Sequence, residues 1–412
     1  MTKRDATDCD GDSSSRSTGG NDRLLAGLRV LDLTRLLPGA YCTQMLADFG
    51  AEIIKIEQPG SGDYWRWSPP TVQTQSAQFL ALNRGKRSLT INLKSVEGRN
   101  AFLRLCDTAD VVLEGFRPGV MARLGLSHQA LHARNPGLII CSMTGFGQDG
   151  PWAKVAAHDL NYLGMAGLLE LTLGRTESPS PTGMPLGDLG GGALMALVGV
   201  LSALNHRAAT GKGHFIDVSV LDGLLSWSGF LAARWNAPGQ QEVAVPFDAP
   251  FDKPFYTVYE TSDGRHMITG SYEEKFWKEL CEVMGYPEWT DRQWDSGAYE
   301  QEIRDAFAIR FRQKTQAEWI EIFSEQEACV TPVHSLKEAL ESEHVKARGT
   351  VITVDDPVEG PLRFVGNPMR VDGKAQNATT AAPRLGADTD LLLAELGYSP
   401  EQITRLRSEK AI

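Results

Sequence analysis

His158 and Asp188 are the residues of this chain whose types and surroundings could move protons. His158-Asp159-Leu160-Asn161-Tyr162 precedes one apolar segment, and Leu186-Gly187-Asp188-Leu189-Gly190-Gly191-Gly192 precedes another thirty residues later. An imidazole and a carboxylate drawn from two such segments would make an acid–base pair. The glycines after Asp188 let backbone or a ligand approach closely, as Gly164 and Gly167 do after His158. The apolar run Ala193 to Leu204 predicts a buried helix, so Asp188 falls near a helix N-terminus, where the dipole favours the ionised carboxylate. A plainer role fits the same residues. Asp is a preferred N-cap, so Asp159 and Asp188 could simply start helices, and a single histidine can be a structural residue.

The elements that must position them read as a doubly wound α/β domain. Leu28 to Leu33 predicts a buried strand, Pro38-Gly39 a turn, and Tyr41 to Phe49 a helix that stops at Gly50. Ala51 to Ile56 is the next strand, which completes a βαβ unit and predicts a parallel sheet. The alternation continues with strands at 88–93, 110–114 and 138–143 and helices at 96–107 and near Leu131. Phe215 to Val218 is a further strand, followed by a helix over 221–235. The first strand lacks a following G-x-G-x-x-G, so the usual dinucleotide fingerprint is absent. In such sheets, ligands bind at the carboxyl ends of the strands.

Around Pro246, Pro250 and Pro254 the composition changes, which marks a crossing into a second region. Strands are predicted at 255–260 and 266–269 about the Ser262-Asp263-Gly264 turn, then helices at 273–284, 300–313 and 316–325. A strand at 350–354 and a helix at 388–396 follow. The expected organisation is a leader over 1–23, a large α/β domain over 24–236, a smaller α/β domain over 237–334 and a return segment over 335–412 that packs on the large domain.

Composition narrows the function. The chain has 412 residues, 42% hydrophobic and 23% charged, as expected for a globular protein of two domains. A net charge of −11 argues against nucleic acid or an anionic membrane as the main partner. The six cysteines form no C-x-x-C pair and the eight histidines are read as offering no metal-ligand set, so no metal is expected and the chain reads as a reduced, cytoplasmic protein. The first 23 residues lack the apolar core of a signal peptide, and Ala193 to Leu204 is too short to span a bilayer. Ser219 and Ser226 lack a nucleophile elbow. Against the acidic background, Arg84, Lys86 and Arg87 precede one strand, and Arg117 and Arg123 follow another. Loops of this kind suit a phosphorylated ligand, although single surface charges are commonplace.

Ordered motifs then point to a family. Leu28-Arg29-Val30-Leu31-Asp32-Leu33-Thr34 with Gly39, Ala47-Asp48-Phe49-Gly50-Ala51-Glu52-Ile53-Ile54-Lys55-Ile56-Glu57, and Asn83-Arg84-Gly85-Lys86-Arg87-Ser88 resemble the family III CoA-transferases and α-methylacyl-CoA racemases. Glu114-Gly115-Phe116-Arg117-Pro118-Gly119, Thr144-Gly145-Phe146-Gly147, Thr210-Gly211-Lys212-Gly213 and Asp217-Val218-Ser219 continue the match, which runs from Leu24 onward.

The resemblance implies an interlocked homodimer with CoA on the large domain and the active site between domains. It implies no cofactor beyond coenzyme A carried by the acyl-CoA substrate, and neither nucleic acid nor membrane as partner. For CoA it offers Lys55, Asn83, Lys86, Arg87, Arg117, Arg123, Gly190 and Gly191. Two chemistries share the scaffold. In transferases the aspartate matched by Asp188 is a nucleophile that carries acyl groups. In racemases it works with an upstream histidine, matched by His158, as two bases on opposite faces of the α-carbon. Oxalate-type transferases usually place Tyr or Phe there. Arg123 and Glu273 match the racemase arginine and glutamate, so the set favours epimerisation of a 2-methyl-branched acyl-CoA, with CoA transfer as the alternative. Two departures stand out: Gln58 replaces a usual basic residue, and Asp248 to Pro254 matches neither branch's loop.

Overall fold

The computed structural model describes residues 23–171, 179–238 and 253–412. The expected leader therefore lies outside the described residues except for Arg23, as does the 246–254 loop except for Lys253 and Pro254. The chain divides into two compact units: Met1–Asp159, Pro185–Gly223 and Ile352–Ile412 form the first, and Leu160–Met184 with Leu224–Val351 the second.

The first unit is built from β1 (Arg29–Asp32), α1 (Leu36–Asp48), β2 (Glu52–Glu57), α2 (Ala77–Leu82), β3 (Arg87–Thr90), α3 (Val96–Cys106), β4 (Val111–Glu114), α4 (Val120–Arg123), α5 (His128–Arg134) and β5 (Ile139–Thr144). Asp159 starts α6 (Asp159–Met165). After it come a π-helical segment (Gly187–Leu194), α7 (Met195–Thr210), β6 (Phe215–Ser219) and α8 (Val220–Ala232); of α6 and α8, only Asp159 and residues 220–223 belong to this unit. The six strands form one parallel sheet in the order β3-β2-β1-β4-β5-β6.

Successive side chains on a strand point to opposite faces, and here both faces are covered. Val30 packs with Cys42, Met45 and Leu46 of α1 and with Ala196 and Val200 of α7. Its neighbour Leu31 joins Phe102 and Leu105 of α3 and Leu131 of α5. Burial on both sides explains why the strands read as unbroken apolar runs. Gly50, with φ at 101°, supplies the left-handed turn that ends α1 after Phe49.

In the second unit, β7 (Tyr256–Glu260), β8 (His266–Gly270) and β9 (Val330–Pro332) make an antiparallel sheet, with α9 (Glu274–Met284), α10 (Ala298–Phe311), α11 (Gln316–Phe323), α12 (Leu336–Glu341) and α13 (Glu343–Ala347). The antiparallel sense follows from the tight hairpin at Ser262-Asp263-Gly264. Its core is aromatic: Tyr259 stacks on Phe311 at 4.9 Å, and Trp277, Phe307 and Trp319 are buried around them.

Residues from 352 onward rejoin the first unit. β10 (Val351–Asp356) pairs with β11 (Gly360–Val365), β12 (Arg370–Val371) with β13 (Lys374–Ala375), and α14 (Thr389–Glu395) and α15 (Pro400–Ser408) pack under β3 and α3. Asp388 accepts the Ser88 N–H at 2.8 Å and Asp48 accepts the Ala378 N–H at 2.7 Å. α15 is an element beyond those expected; Ser399 and Gln402 form its capping box with Pro400 at the first turn, a signature visible in sequence.

The helix expected from Ala193 is longer than its apolar run. Gly187–Thr210 is continuous over 24 residues, enough by length and composition to cross a membrane, and 50% of its most apolar window is buried within the protein.

Candidate active site

Asp188 sits in the first turn of the π-helical segment, so it is part of the helix instead of standing in a loop before it. A π-helix is wider than an α-helix and is found preferentially at functional sites. Gly190, Gly191 and Gly192 permit it here because they bring no side chains into a crowded place. Gly192 is backed by Met143 and Val220, and a Cβ on Gly223 would lie 2.2 Å from the Gly191 carbonyl oxygen. Gly190 and Gly191 are thus buried backbone that shapes the Asp188 turn. Gly223→Ala must push this segment aside. We expect a stability loss of about 1–3 kcal/mol, the usual cost of overpacking, together with reduced activity; an unchanged thermal midpoint and rate would contradict this account.

The His158 segment meets the Asp188 turn. Asp159 Oδ1 accepts the Asp188 N–H at 2.9 Å. Burial, then the nearby Asp159 carboxylate, raise the Asp188 carboxyl from the ordinary aspartate range to about 6, against the opposing pull of the His158 imidazole. His158 is exposed, while Asp159 and Asp188 are half-buried. The structure therefore brings His158 and Asp188 into electrostatic contact.

Backbone N–H groups of the Asp188-Leu189-Gly190 turn are natural donors for a developing oxyanion. Two of them are engaged: Asp188 N–H donates to Asp159, and Leu189 N–H to the Pro185 carbonyl at 3.0 Å.

The basic residues divide sharply. β1 and β4 are neighbours at the point where the strand order reverses, the place where open α/β sheets bind ligands beyond their carboxyl ends. Arg117 and Arg123 follow β4 and are exposed. Arg35, which follows β1 and stands outside the expected basic clusters, is also exposed and lies 5.9 Å from the Phe116 ring centroid. The strand order exposes this third arginine, and strand order is not a sequence signal.

The other basic candidates turn inward. Lys55 is fully buried, 3.1 Å from Asp63, and donates to the Thr34 carbonyl at 3.0 Å. Lys86 donates to Thr43 Oγ1 at 2.7 Å and Asn83 Oδ1 at 2.9 Å, and lies 3.4 Å from Asp32. Asn83 completes its bonding to the Phe79 carbonyl at 3.0 Å. Arg87 forks to Glu52 at 2.6 Å and Glu395 at 2.9 Å. Lys55, Asn83 and Lys86 are therefore buried and engaged within the first unit, while Arg87 is half-buried in an ion-pair cluster. Their loops at strand ends were legible in sequence, but the direction of each side chain was not.

Glu273 belongs to the second unit, where it is exposed as the N-cap residue of α9; burial, and then the Glu273 charge, raise the Cys329 thiol. His128-Gln129-Ala130-Leu131-His132 is an H-x-x-x-H pair, a metal-ligand spacing that the histidines were expected not to offer. His128 stacks on Phe215 at 4.1 Å and His132 bonds the Leu138 carbonyl at 2.9 Å. Among the described residues no group of three or more His, Cys, Asp or Glu is placed to hold a metal ion.

With this geometry in place, relatives can be compared. The chain is 36% identical to the human (Homo sapiens) α-methylacyl-CoA racemase over 396 residues, covering 94% of this chain and 97% of that protein. It is 37% identical to the acetyl-CoA:oxalate CoA-transferase of Acetobacter aceti over 359 residues, covering 84% and 89%. The crystal structure of a CAIB/BAIF family protein from Brucella suis superposes with a TM-score of 0.78 at 30% identity, covering 91% of this chain and 99% of that one. The sequence model of CoA-transferase family III matches residues 25–389. With homologues of both chemistries matched over most of its length, the chain is an enzyme and belongs to CoA-transferase family III.

Proposed function

We propose that the enzyme epimerises the carbon α to the thioester of a 2-methyl-branched acyl-CoA by a 1,1-proton transfer. The observation that carries this reading is the Asp188 turn bonded to Asp159 of the His158 segment at 2.9 Å, with the half-buried Asp188 carboxyl raised to about 6 by burial and Asp159. A two-base racemase needs one proton shared by two groups, with either able to hold it. An aspartate raised to about 6 can both hold a proton and give it up near neutral pH, as a group that serves as acid in one direction and base in the other must. Neutral His158 takes the α-proton from one epimer while protonated Asp188 delivers one to the opposite face; the reverse direction exchanges the roles. Each direction needs one group protonated and the other not, so activity should fall both when the pair is doubly protonated and when it is doubly deprotonated. The test is deuterium incorporation from D2O at the α-carbon of 2-methylacyl-CoA thioesters; no exchange across a range of them rejects the reading.

CoA transfer is the second reading, supported by the similar identity to the Acetobacter transferase. An aspartate titrating near 6 is mostly ionised at neutral pH, as a nucleophile must be. Hydroxylamine or borohydride added with acyl-CoA, followed by mass analysis, modifies Asp188 if transfer is the reaction and leaves it unmodified if it is not.

Arg117 and Arg123 are assigned to the CoA phosphates. Charged hydrogen bonds of this kind contribute roughly 1.5–3 kcal/mol, so replacing either with Ala should raise KM for acyl-CoA by about 10–100-fold. A truncated pantetheine thioester, lacking the nucleotide, should be little affected. Arg87→Ala should instead lower thermal stability, because its partners are Glu52 and Glu395. An equal rise in KM for both thioesters places the phosphates elsewhere.

A further inference from the structure

The Asp188 N–H lies in the first turn of a helix, where backbone donors have no intrahelical acceptor. The local N-cap position is Leu186, which offers no side-chain acceptor. The acceptor comes instead from 29 positions earlier: Asp159 Oδ1, at 2.9 Å. Asp159 is also the residue after His158 and the first of α6. A short run of covalent bonds and one hydrogen bond therefore connects the His158 backbone to the Asp188 backbone. We infer that Asp159 is a positioning residue whose carboxylate clamps the Asp188 turn to the His158 segment, fixing their separation and placing a negative charge beside the pair; this rests on the two-base reading above.

The electrostatics act in the same direction, because the Asp159 charge adds to burial in keeping a proton on Asp188. The elements packed on the π-helical segment bring other ionisable groups, and these are engaged elsewhere. From α1, Asp48 pairs with Arg84, while Tyr41 and Cys42 feel Asp48 and Asp32. From α7, Arg207 pairs with Asp110 and His206 bonds His214. From β6, Asp217 accepts the Gln148 N–H. Asp159 and His158 are the ionisable groups that act on Asp188.

Two variants separate clamp from charge. Asp159→Asn keeps a carbonyl acceptor for the Asp188 N–H and removes the charge; Asp159→Ala removes both. The Asp188 carboxyl is followed by 13C NMR of aspartate-labelled enzyme, its resonance assigned with Asp188→Asn. The midpoint should lie near 6 in the wild type and fall in Asp159→Asn, with the acid limb of the exchange rate moving down beside it. Asp159→Ala should exchange about 10-fold more slowly than Asp159→Asn, the worth of one hydrogen bond. An unmoved midpoint in Asp159→Asn, or equal rates in the two variants, overturns the inference. No exchange in the wild type would reject the two-base reading, and the NMR midpoint then decides the role of Asp159 by itself.

Discussion

Asp188→Asn should slow α-proton exchange on a 2-methylacyl-CoA by about 10²–10⁴-fold, the usual worth of a positioned general acid or base, and at the same time raise Tm at pH 7. The rate falls because an amide neither gives nor takes the proton. The gain in stability follows from the sign of the pKa displacement. Burial and Asp159 hold the folded Asp188 near 6, above its unfolded value. Folding therefore favours the protonated form, and this contribution is lost as pH rises through about 6. Above that, the ionised carboxylate is held in an environment that disfavours it. Removing it should help at pH 7 and change little near pH 3, where both folded and unfolded forms are largely protonated. Thermal unfolding at the two pH values, beside the exchange rate, checks both halves. A variant within 10-fold of wild type in exchange, or one less stable at pH 7, would remove Asp188 from its assigned role. His158→Ala should likewise abolish racemisation, while a transferase would keep part of its activity.

The largest loss of stability is expected far from this pair, at Asp32→Ala. Asp32 is fully buried; it accepts from Thr34 Oγ1 at 2.5 Å and Thr43 Oγ1 at 2.7 Å, and Lys86 Nζ lies 3.4 Å away. Burial alone would raise its carboxyl, but Lys55, Lys86 and the two threonine hydroxyls outweigh it and hold the pKa below the ordinary range. Lys55 keeps its proton firmly because Asp32, Asp63 and Glu57 together overcome its burial. Lys86, with Asp32 as its close carboxylate, is pushed down to about 8 by its burial.

Removing the shared carboxylate leaves two buried ammonium groups short of a counter-charge. The expected cost is about 3–5 kcal/mol, read as a lower urea midpoint. Because the folded pKa of Asp32 is depressed, its stabilisation is present above the unfolded value and is lost only as pH falls through the lower folded one. Adding Lys86→Met to Asp32→Ala should recover part of the loss, since an apolar side chain needs no counter-charge. A loss under about 1 kcal/mol, typical of an exposed pair, would show that water reaches these groups.

How far the chain announces all this depends on the range of the interaction involved. Strands such as Val30 to Asp32 and Ile53 to Ile56 are legible because burial on both faces makes them continuous apolar runs, and Gly50 marks the end of α1 because only a left-handed turn fits there. His158 and Asp188 are legible as residue types, and their motif context points to the family. The rest is decided in three dimensions. Glycines at 190–192 carry no side-chain period, so no pattern could say that the helix begins at Gly187 with a π turn. Lys55 and Lys86 read as surface charges by default; their burial depends on Asp63 and Asp32, carboxylates supplied by other elements. Asp159 reads as a local helix start, yet its carboxylate serves a backbone donor 29 positions away. Sequence patterns report a residue's neighbours along the chain, whereas hydrogen bonds and counter-charges are satisfied by whatever folding brings near.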